Sequence, residues 1–119
     1  MSNPFIAVHG DGSGTVVVEV AGEIDMSNAD DFERVLGEAI PSETGEAVID
    51  LTRVSYIDSV GLRVLYSLAY RLRTAQIALV LRAPLGSAAR RLMELSGLSP
   101  VVTLDPPGER PEASEAGSG

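Results

Sequence analysis

The sequence predicts an α/β fold built on one small mixed sheet. Strand-like and helix-like runs alternate in the order β-β-α-β-α-β-α-β. The 119 residues fit a single domain, and 45% of them are hydrophobic, which is enough to form one core. Because strand–helix–strand units form right-handed crossovers, we expect four to five strands with three or more helices packed mainly on one face.

The chain opens with a predicted β-hairpin. Residues 5–8 form a short apolar run, and residues 15–21, "TVVVEVA", are rich in β-branched side chains typical of strands. Between them, Asp11 and Gly12 form a dipeptide typical of tight turns. His9 is expected at the strand end or facing solvent.

The first helix is predicted between Ser27, a candidate N-cap, and Pro41, which cannot continue a helix. Asp30 and Asp31 favour the positive end of its dipole. Its apolar side chains recur at helical spacing and predict one buried stripe: Phe32, Val35, Leu36, Ala39 and Ile40.

The central part of the chain predicts a covered strand followed closely by a helix. Residues 47–51, "AVIDL", are apolar apart from Asp50, as in strands that are covered on most of their surface. Residues 59–73 show helical periodicity, and their expected buried side chains are Leu62, Leu65, Leu68, Ala69 and Leu72.

Three further elements complete the predicted domain. Residues 76–81, "QIALVL", predict a buried strand, and residues 101–104, "VVTL", a last short strand. Between them, residues 87–96 predict a helix that Gly97 ends. The expected inner face of this helix consists of Ala88, Leu92 and Leu95. We therefore assign residues 1–104 to one domain, and residues 105–119 to a disordered acidic tail rich in proline, glycine and serine.

Composition argues against several classes of function. The chain has no cysteine and one histidine, so a metal or haem site has almost no ligands, and we predict neither metal nor cofactor. Seventeen acidic against nine basic residues give a net charge of −8, which disfavours nucleic acids and anionic membranes as partners. No signal peptide or spanning segment is recognisable, so we expect a cytoplasmic protein.

Residues 56–62, "YIDSVGL", place an acid, a hydroxyl and a glycine at the start of a helix. Only one residue can hold the cap position. If Asp58 caps the helix, the Ser59 hydroxyl faces solvent, and if Ser59 caps it, Asp58 needs a separate role. Gly61 fits two interpretations, close approach by another molecule or tight packing against a neighbouring strand.

A free hydroxyl at a helix start suits either nucleophilic catalysis or phosphate acceptance. Catalysis needs a nearby base, and His9 is the only histidine. Ile57 stands where a G-x-S-x-G elbow requires its first glycine, so a serine hydrolase is disfavoured. Phosphorylation of Ser59 fits better, because it would add about −1.5 to −2 charge to a surface without unfolding the domain.

Three motifs resemble the STAS domains, and within them the bacterial anti-sigma factor antagonists. They are "GEID" at 22–25, "VIDLTRVSYIDSVGLRVL" at 48–65 and "SGL" at 96–98, and the resemblance covers residues 5–104. It implies a STAS-type fold in which Ser59 is the phosphoacceptor, Asp58 its neighbour and Asp25 close by. Without the resemblance, Asp25 reads equally well as a strand-end turn former. Val60 stands where the family often has a small residue, and its bulk bears on partner choice.

The resemblance further implies a partner-binding surface made of Asp25, Asp58, Ser59, Val60 and Gly61. Such a protein is not an enzyme: it binds an anti-sigma factor that is also a serine kinase, and thereby releases a sigma factor. Phosphorylation of Ser59 by the kinase ends binding, and a serine phosphatase restores it. The alternative within the same fold is a scaffold or nucleotide-sensing module without a phospho-switch.

Overall fold

Strands and helices follow one another in the predicted order. The computed structural model describes residues 5–10, 12–97 and 102–106. Its elements are β1 (Phe5–Gly10), β2 (Thr15–Ile24), α1 (Ala29–Ala39), β3 (Glu46–Ile57), α2 (Ser59–Thr74), β4 (Ala78–Arg82), α3 (Ala88–Ser96) and β5 (Thr103–Asp105).

The five strands form one mixed sheet in the order β1-β2-β3-β4-β5, with β1 antiparallel and all later neighbours parallel. Because the strand order always advances in the same direction, right-handed crossovers place the three helices on one face. One cluster of buried side chains accordingly joins Ile49 of β3 to Phe32 of α1, Leu65 of α2 and Met93 of α3. The predicted fold class is confirmed.

Strands β2 and β3 are longer than the sequence predicts, since they end at Ile24 and Ile57 rather than at residues 21 and 51. Two register shifts, between Glu19 and Ala21 and between Gly22 and Glu23, let the pairing continue through polar residues. The final pair is Ile24 with Ile57, so both strands finish at the same edge of the sheet.

Ser27 does not cap α1, contrary to the prediction. The helix begins at Ala29, and Asn28 holds the N-cap position. The Asn28 side chain instead bridges the loop: its Oδ1 accepts from the Asp25 N–H and its Nδ2 donates to the Glu23 carbonyl. Of the predicted apolar stripe, three side chains are buried (Phe32, Leu36, Ile40) and two are half-buried (Val35, Ala39).

The predicted inner face of α3 is wrong. Ala88 is exposed, Leu92 is half-buried and the Leu95 side chain is 79% exposed. The buried residues are Ala89, Arg90 and Met93. Arg90 enters the core because its Nη1 donates to the Ala83 carbonyl at 3.0 Å and its Nε donates to Glu94 at 2.9 Å. Ser87 accepts from the Arg90 N–H, and Gly97 ends the helix at φ 78°.

The remaining boundaries shift by small steps. Gln76 has a positive φ of 62° and belongs to the turn after α2, so β4 begins at Ala78. The α2 stripe is buried as predicted, and His9 in β1 is exposed, with its ring beside Glu19. Strand β5 begins at Thr103 and includes Asp105, which the sequence assigns to the tail. Asp11, Val101 and residues 107–119 lie outside the described residues, so the turn at Asp11 and the rest of the tail stay predictions.

The corrected face of α3 can be tested by a pair of truncations. Met93→Ala should lower the free energy of unfolding by about 2–5 kcal/mol, because it empties a fully buried position. Leu95→Ala should change it by at most about 0.5 kcal/mol, because that side chain is exposed. Urea denaturation measures the free energy of unfolding of both variants. A larger loss for Leu95→Ala than for Met93→Ala would support the inner face predicted from the sequence.

Candidate functional site

The site lies where β2 and β3 end side by side and α2 begins. The Asp58 N–H donates to the Ile24 carbonyl at 3.1 Å, which ties the start of α2 to the end of β2. The segment that follows β2 therefore lies against the residues that follow β3. Asp25 belongs to the first of these segments, and Asp58 to Gly61 form the second.

Asp58 caps α2. Its Oδ1 accepts from the N–H groups of Val60 at 3.0 Å and Gly61 at 2.9 Å. Its Oδ2 accepts from the Met26 N–H at 3.2 Å, across the gap between the two segments. One carboxylate thus binds both the start of α2 and the β2–α1 loop. Because Asp58 occupies the N-cap position, the alternative in which Ser59 caps the helix is excluded.

Ser59 is the first residue of α2 and is exposed. Within the described part of the chain, its hydroxyl makes no hydrogen bond, and the capping interactions all belong to its neighbour Asp58. An enzyme can therefore reach the Ser59 oxygen without breaking a bond within the fold. The next residue, Val60, is half-buried and packs against the core.

Gly61 is buried, which excludes close approach by another molecule as the reason for this glycine. A Cβ at this position would lie 2.8 Å from Cγ2 of Ile24 and 2.9 Å from Cγ1 of Ile57. Tight packing against the strands, the other interpretation, accounts for it. Gly61 allows α2 to begin close to the sheet, and any effect on a partner is exerted through the position of Ser59.

Asp25 forms a compact turn with Ser27. Its Oδ1 accepts from the Ser27 hydroxyl at 2.5 Å and from the Ser27 N–H at 2.9 Å. The hydroxyl and then the backbone hydrogen bond of Ser27 hold the pKa of Asp25 below its ordinary value. Asp25 therefore forms the turn that follows β2. Ser27, which was predicted to cap α1, is its hydrogen-bond partner in that turn.

Three residues next to the site were not singled out from the sequence. Met26 is 75% exposed and Tyr56 is 51% exposed, although both are large and apolar. Arg63 is exposed on α2, four residues after Ser59. The sequence shows these residue types, but it gives no signal that the Met26 and Tyr56 side chains face solvent.

Neither a cluster of metal ligands nor a membrane-spanning helix occurs among the described residues. Among them, no three histidine, aspartate or glutamate side chains come together as metal ligands. No helix in residues 5–10, 12–97 and 102–106 is long and apolar enough to cross a membrane.

The family model of the STAS domain matches residues 7–109. The chain belongs to the STAS domain family. This STAS domain is 33% identical over 95 residues to the anti-sigma-F factor antagonist RsfB of Mycobacterium tuberculosis, covering 79% of this chain and 75% of that protein. It is 40% identical over 85 residues to the anti-sigma-B factor antagonist of Listeria monocytogenes, covering 71% and 74%.

Solved structures agree with the STAS assignment. An anti-sigma factor antagonist from Mycobacterium paratuberculosis superposes with a TM-score of 0.76 at 33% identity, covering 95% of this chain and 92% of that one. The anti-sigma factor antagonist SpoIIAA in its unphosphorylated form superposes with a TM-score of 0.59 at 14% identity, covering 96% of each chain. The second similarity shows the fold alone.

Substitution of Gly61 tests the packing interpretation. Gly61→Ala should lower the free energy of unfolding by about 1–3 kcal/mol, because the added methyl group overlaps Ile24 and Ile57. Gly10→Ala is the matched control, since a Cβ there meets nothing within 4 Å. Urea denaturation of both variants compares them, and equal stabilities would contradict the packing interpretation.

Removal of the Ser27 hydroxyl tests the turn. Ser27→Ala should raise the pKa of Asp25, because the variant loses the hydrogen bond that most favours the charged carboxylate. In the wild type, the Asp25 carboxylate stabilises the folded state because its pKa is lower there than in the unfolded chain. This contribution is fully present above the pKa of Asp25 in the unfolded chain and is lost as the pH falls through its pKa in the folded state. An NMR titration of the Asp25 carboxyl carbon measures this pKa in both proteins. The same pKa in wild type and Ser27→Ala would contradict the hydrogen bond from the Ser27 hydroxyl.

Proposed function

We propose that this STAS domain is a cytoplasmic anti-sigma factor antagonist controlled by phosphorylation of Ser59. In the unphosphorylated state it binds an anti-sigma factor that is also a serine kinase, and a sigma factor is released. One observation carries the proposal: Ser59 stands exposed at the first position of α2, with its hydroxyl outside every capping bond. The relatives named as anti-sigma factor antagonists support the choice of partner.

The proposed phosphorylation requires little from this chain. The Ser59 oxygen attacks the γ-phosphorus of ATP held by the kinase, and the hydroxyl proton passes to a base of the kinase. The new oxygen–phosphorus bond forms as the bond between the γ-phosphorus and the bridging oxygen breaks, and ADP leaves. A serine phosphatase reverses the modification with water and releases inorganic phosphate. The chain is therefore a substrate and a binding protein in this cycle.

Charge explains how the modification would end binding. Ser59 directly follows Asp58, and the β2–α1 loop that carries Asp25 is bonded to the Asp58 carboxylate, so a phosphoryl group enters a region that already contains acidic side chains. A dianion left in the contact surface without a matching cation on the partner costs about 2–5 kcal/mol. Affinity then falls by about 30-fold to several thousand-fold, and the fold does not need to move.

The partner would contact a mixed surface around this serine. Met26, whose N–H binds Asp58, and Tyr56, two residues before Asp58, offer exposed apolar area of the kind that protein interfaces commonly use. Val60 would influence which partner fits, since its side chain is only half-buried. Gly61 contributes indirectly, by fixing how close α2 lies to β2.

Variants of Ser59 test the proposal in a pull-down from the native cytoplasm. Ser59→Ala should retain a kinase as the wild type does, because the hydroxyl is not needed for binding. Ser59→Asp should retain less, although the loss is smaller than for phosphate because the charge is smaller. Ser67→Ala serves as the control, an exposed serine two turns further along the same helix.

Intact-mass analysis after incubation with ATP and the retained kinase completes the test. Wild type and Ser67→Ala should gain one phosphoryl group, and Ser59→Ala none. Full modification of Ser59→Ala would exclude the assigned site. Titration of the unmodified chain with ATP and GTP tests the alternative function. Tight binding of either nucleotide would favour a nucleotide-sensing module over an anti-sigma factor antagonist.

A further inference from the structure

Arg63 lies one turn beyond Ser59 on α2, and both residues are exposed. Side chains at positions i and i+4 of a helix are neighbours, with about 5–6 Å between their Cβ atoms. The Arg63 guanidinium therefore reaches the space above the Ser59 hydroxyl. Arg63 is one of five arginines that form no ion pair within the residues that the structure describes, and it is the one that lies four residues after Ser59.

The backbone at the start of α2 has few donors to offer a phosphoryl group. The N–H groups of Val60 and Gly61 are bound to the Asp58 carboxylate. The Leu62 N–H is bound to the Asp58 carbonyl at 3.0 Å. Apart from the N–H of Ser59 itself, these helix-start donors are thus already engaged, and further donors must come from a side-chain cation.

Acidic residues adjoin Ser59. Asp58 precedes it in the chain, and the Met26 N–H that binds the Asp58 carboxylate follows directly after Asp25. Arg63 is the cation that the helix places on the same face as Ser59. A guanidinium is also the group that best matches phosphate oxygens, because it can donate two parallel N–H bonds.

We propose that Arg63 is the intramolecular receptor for the phosphoryl group of phosphorylated Ser59. As a regulatory role, this rests on the proposed function, since it needs Ser59 to be the modified residue. Phosphorylation then changes the contact surface twice: it adds a dianion, and it withdraws the Arg63 guanidinium from any acidic group of the partner. The pairing also holds the phosphoryl group over α2 in one orientation.

The contact can be measured without any kinase. Phosphoserine is incorporated at position 59 during synthesis, and the phosphorus resonance is titrated by NMR through its second ionisation at about pH 6. In the wild type the midpoint should lie lower than in Arg63→Gln by a few tenths of a pH unit, because the guanidinium favours the dianion. Arg63→Lys should restore part of this difference, since it keeps the charge but not the paired donors.

Arg73→Gln is the matched control, since it removes the same charge from the same helix about 15 Å further along its axis than Arg63. Its midpoint should match the wild type. If Arg63→Gln leaves the midpoint unchanged, or if both glutamine variants raise it equally, Arg63 is not the receptor. Either result leaves the proposed function intact, because that proposal depends on whether a kinase modifies Ser59. Conversely, an Arg63-dependent midpoint without kinase modification would establish the contact but remove its regulatory role.

Discussion

The site depends on the Asp58 carboxylate, which accepts from three backbone N–H groups in two separate segments. Two of these donors start α2, and the third belongs to Met26 in the β2–α1 loop. Together with the bond from the Asp58 N–H to the Ile24 carbonyl, they fix the helix start against the end of β2. Because Asp58 occupies the cap, Ser59 must be the first helical residue, and its hydroxyl is exposed as a consequence.

The residues that stabilise the start of α2 are therefore adjacent to, but different from, the residue that is the candidate for modification. Asp58 provides the cap, and Gly61 lets the first turn approach Ile24 and Ile57 without a steric clash. Ser59 lies between them and contributes no side-chain bond within the described residues. A group added to Ser59 can thus change the surface while the cap and the packing persist, which is what a reversible modification of a stable domain requires.

The sequence predicted most of the architecture, because periodicity and turn residues report burial directly. It predicted that either Asp58 or Ser59 caps α2, but choosing between them required the strand pairing that brings Met26 to Asp58. The face of α3 was wrong because hydrophobicity places arginine outside, while Arg90 finds a carbonyl and a carboxylate within reach. Ser27 was predicted to cap α1, but its hydroxyl bonds to Asp25 instead. Each failure involves a polar group whose hydrogen-bond partner cannot be read from hydrophobic periodicity.

The same hydrogen bonds distinguish the two carboxylates of the site from the phosphoryl group of the proposed switch. The Asp58 carboxylate is engaged by backbone donors on both oxygens, and one Asp25 oxygen is engaged by Ser27. Much of their charge is thus met within the chain itself. A phosphoryl group on Ser59 finds no such set of backbone donors, so its charge is directed outward except where a side chain of α2 can meet it. In the proposed switch, this contrast between carboxylates bonded to the backbone and a phosphoryl group that relies on a side chain distinguishes the modified site from the unmodified one.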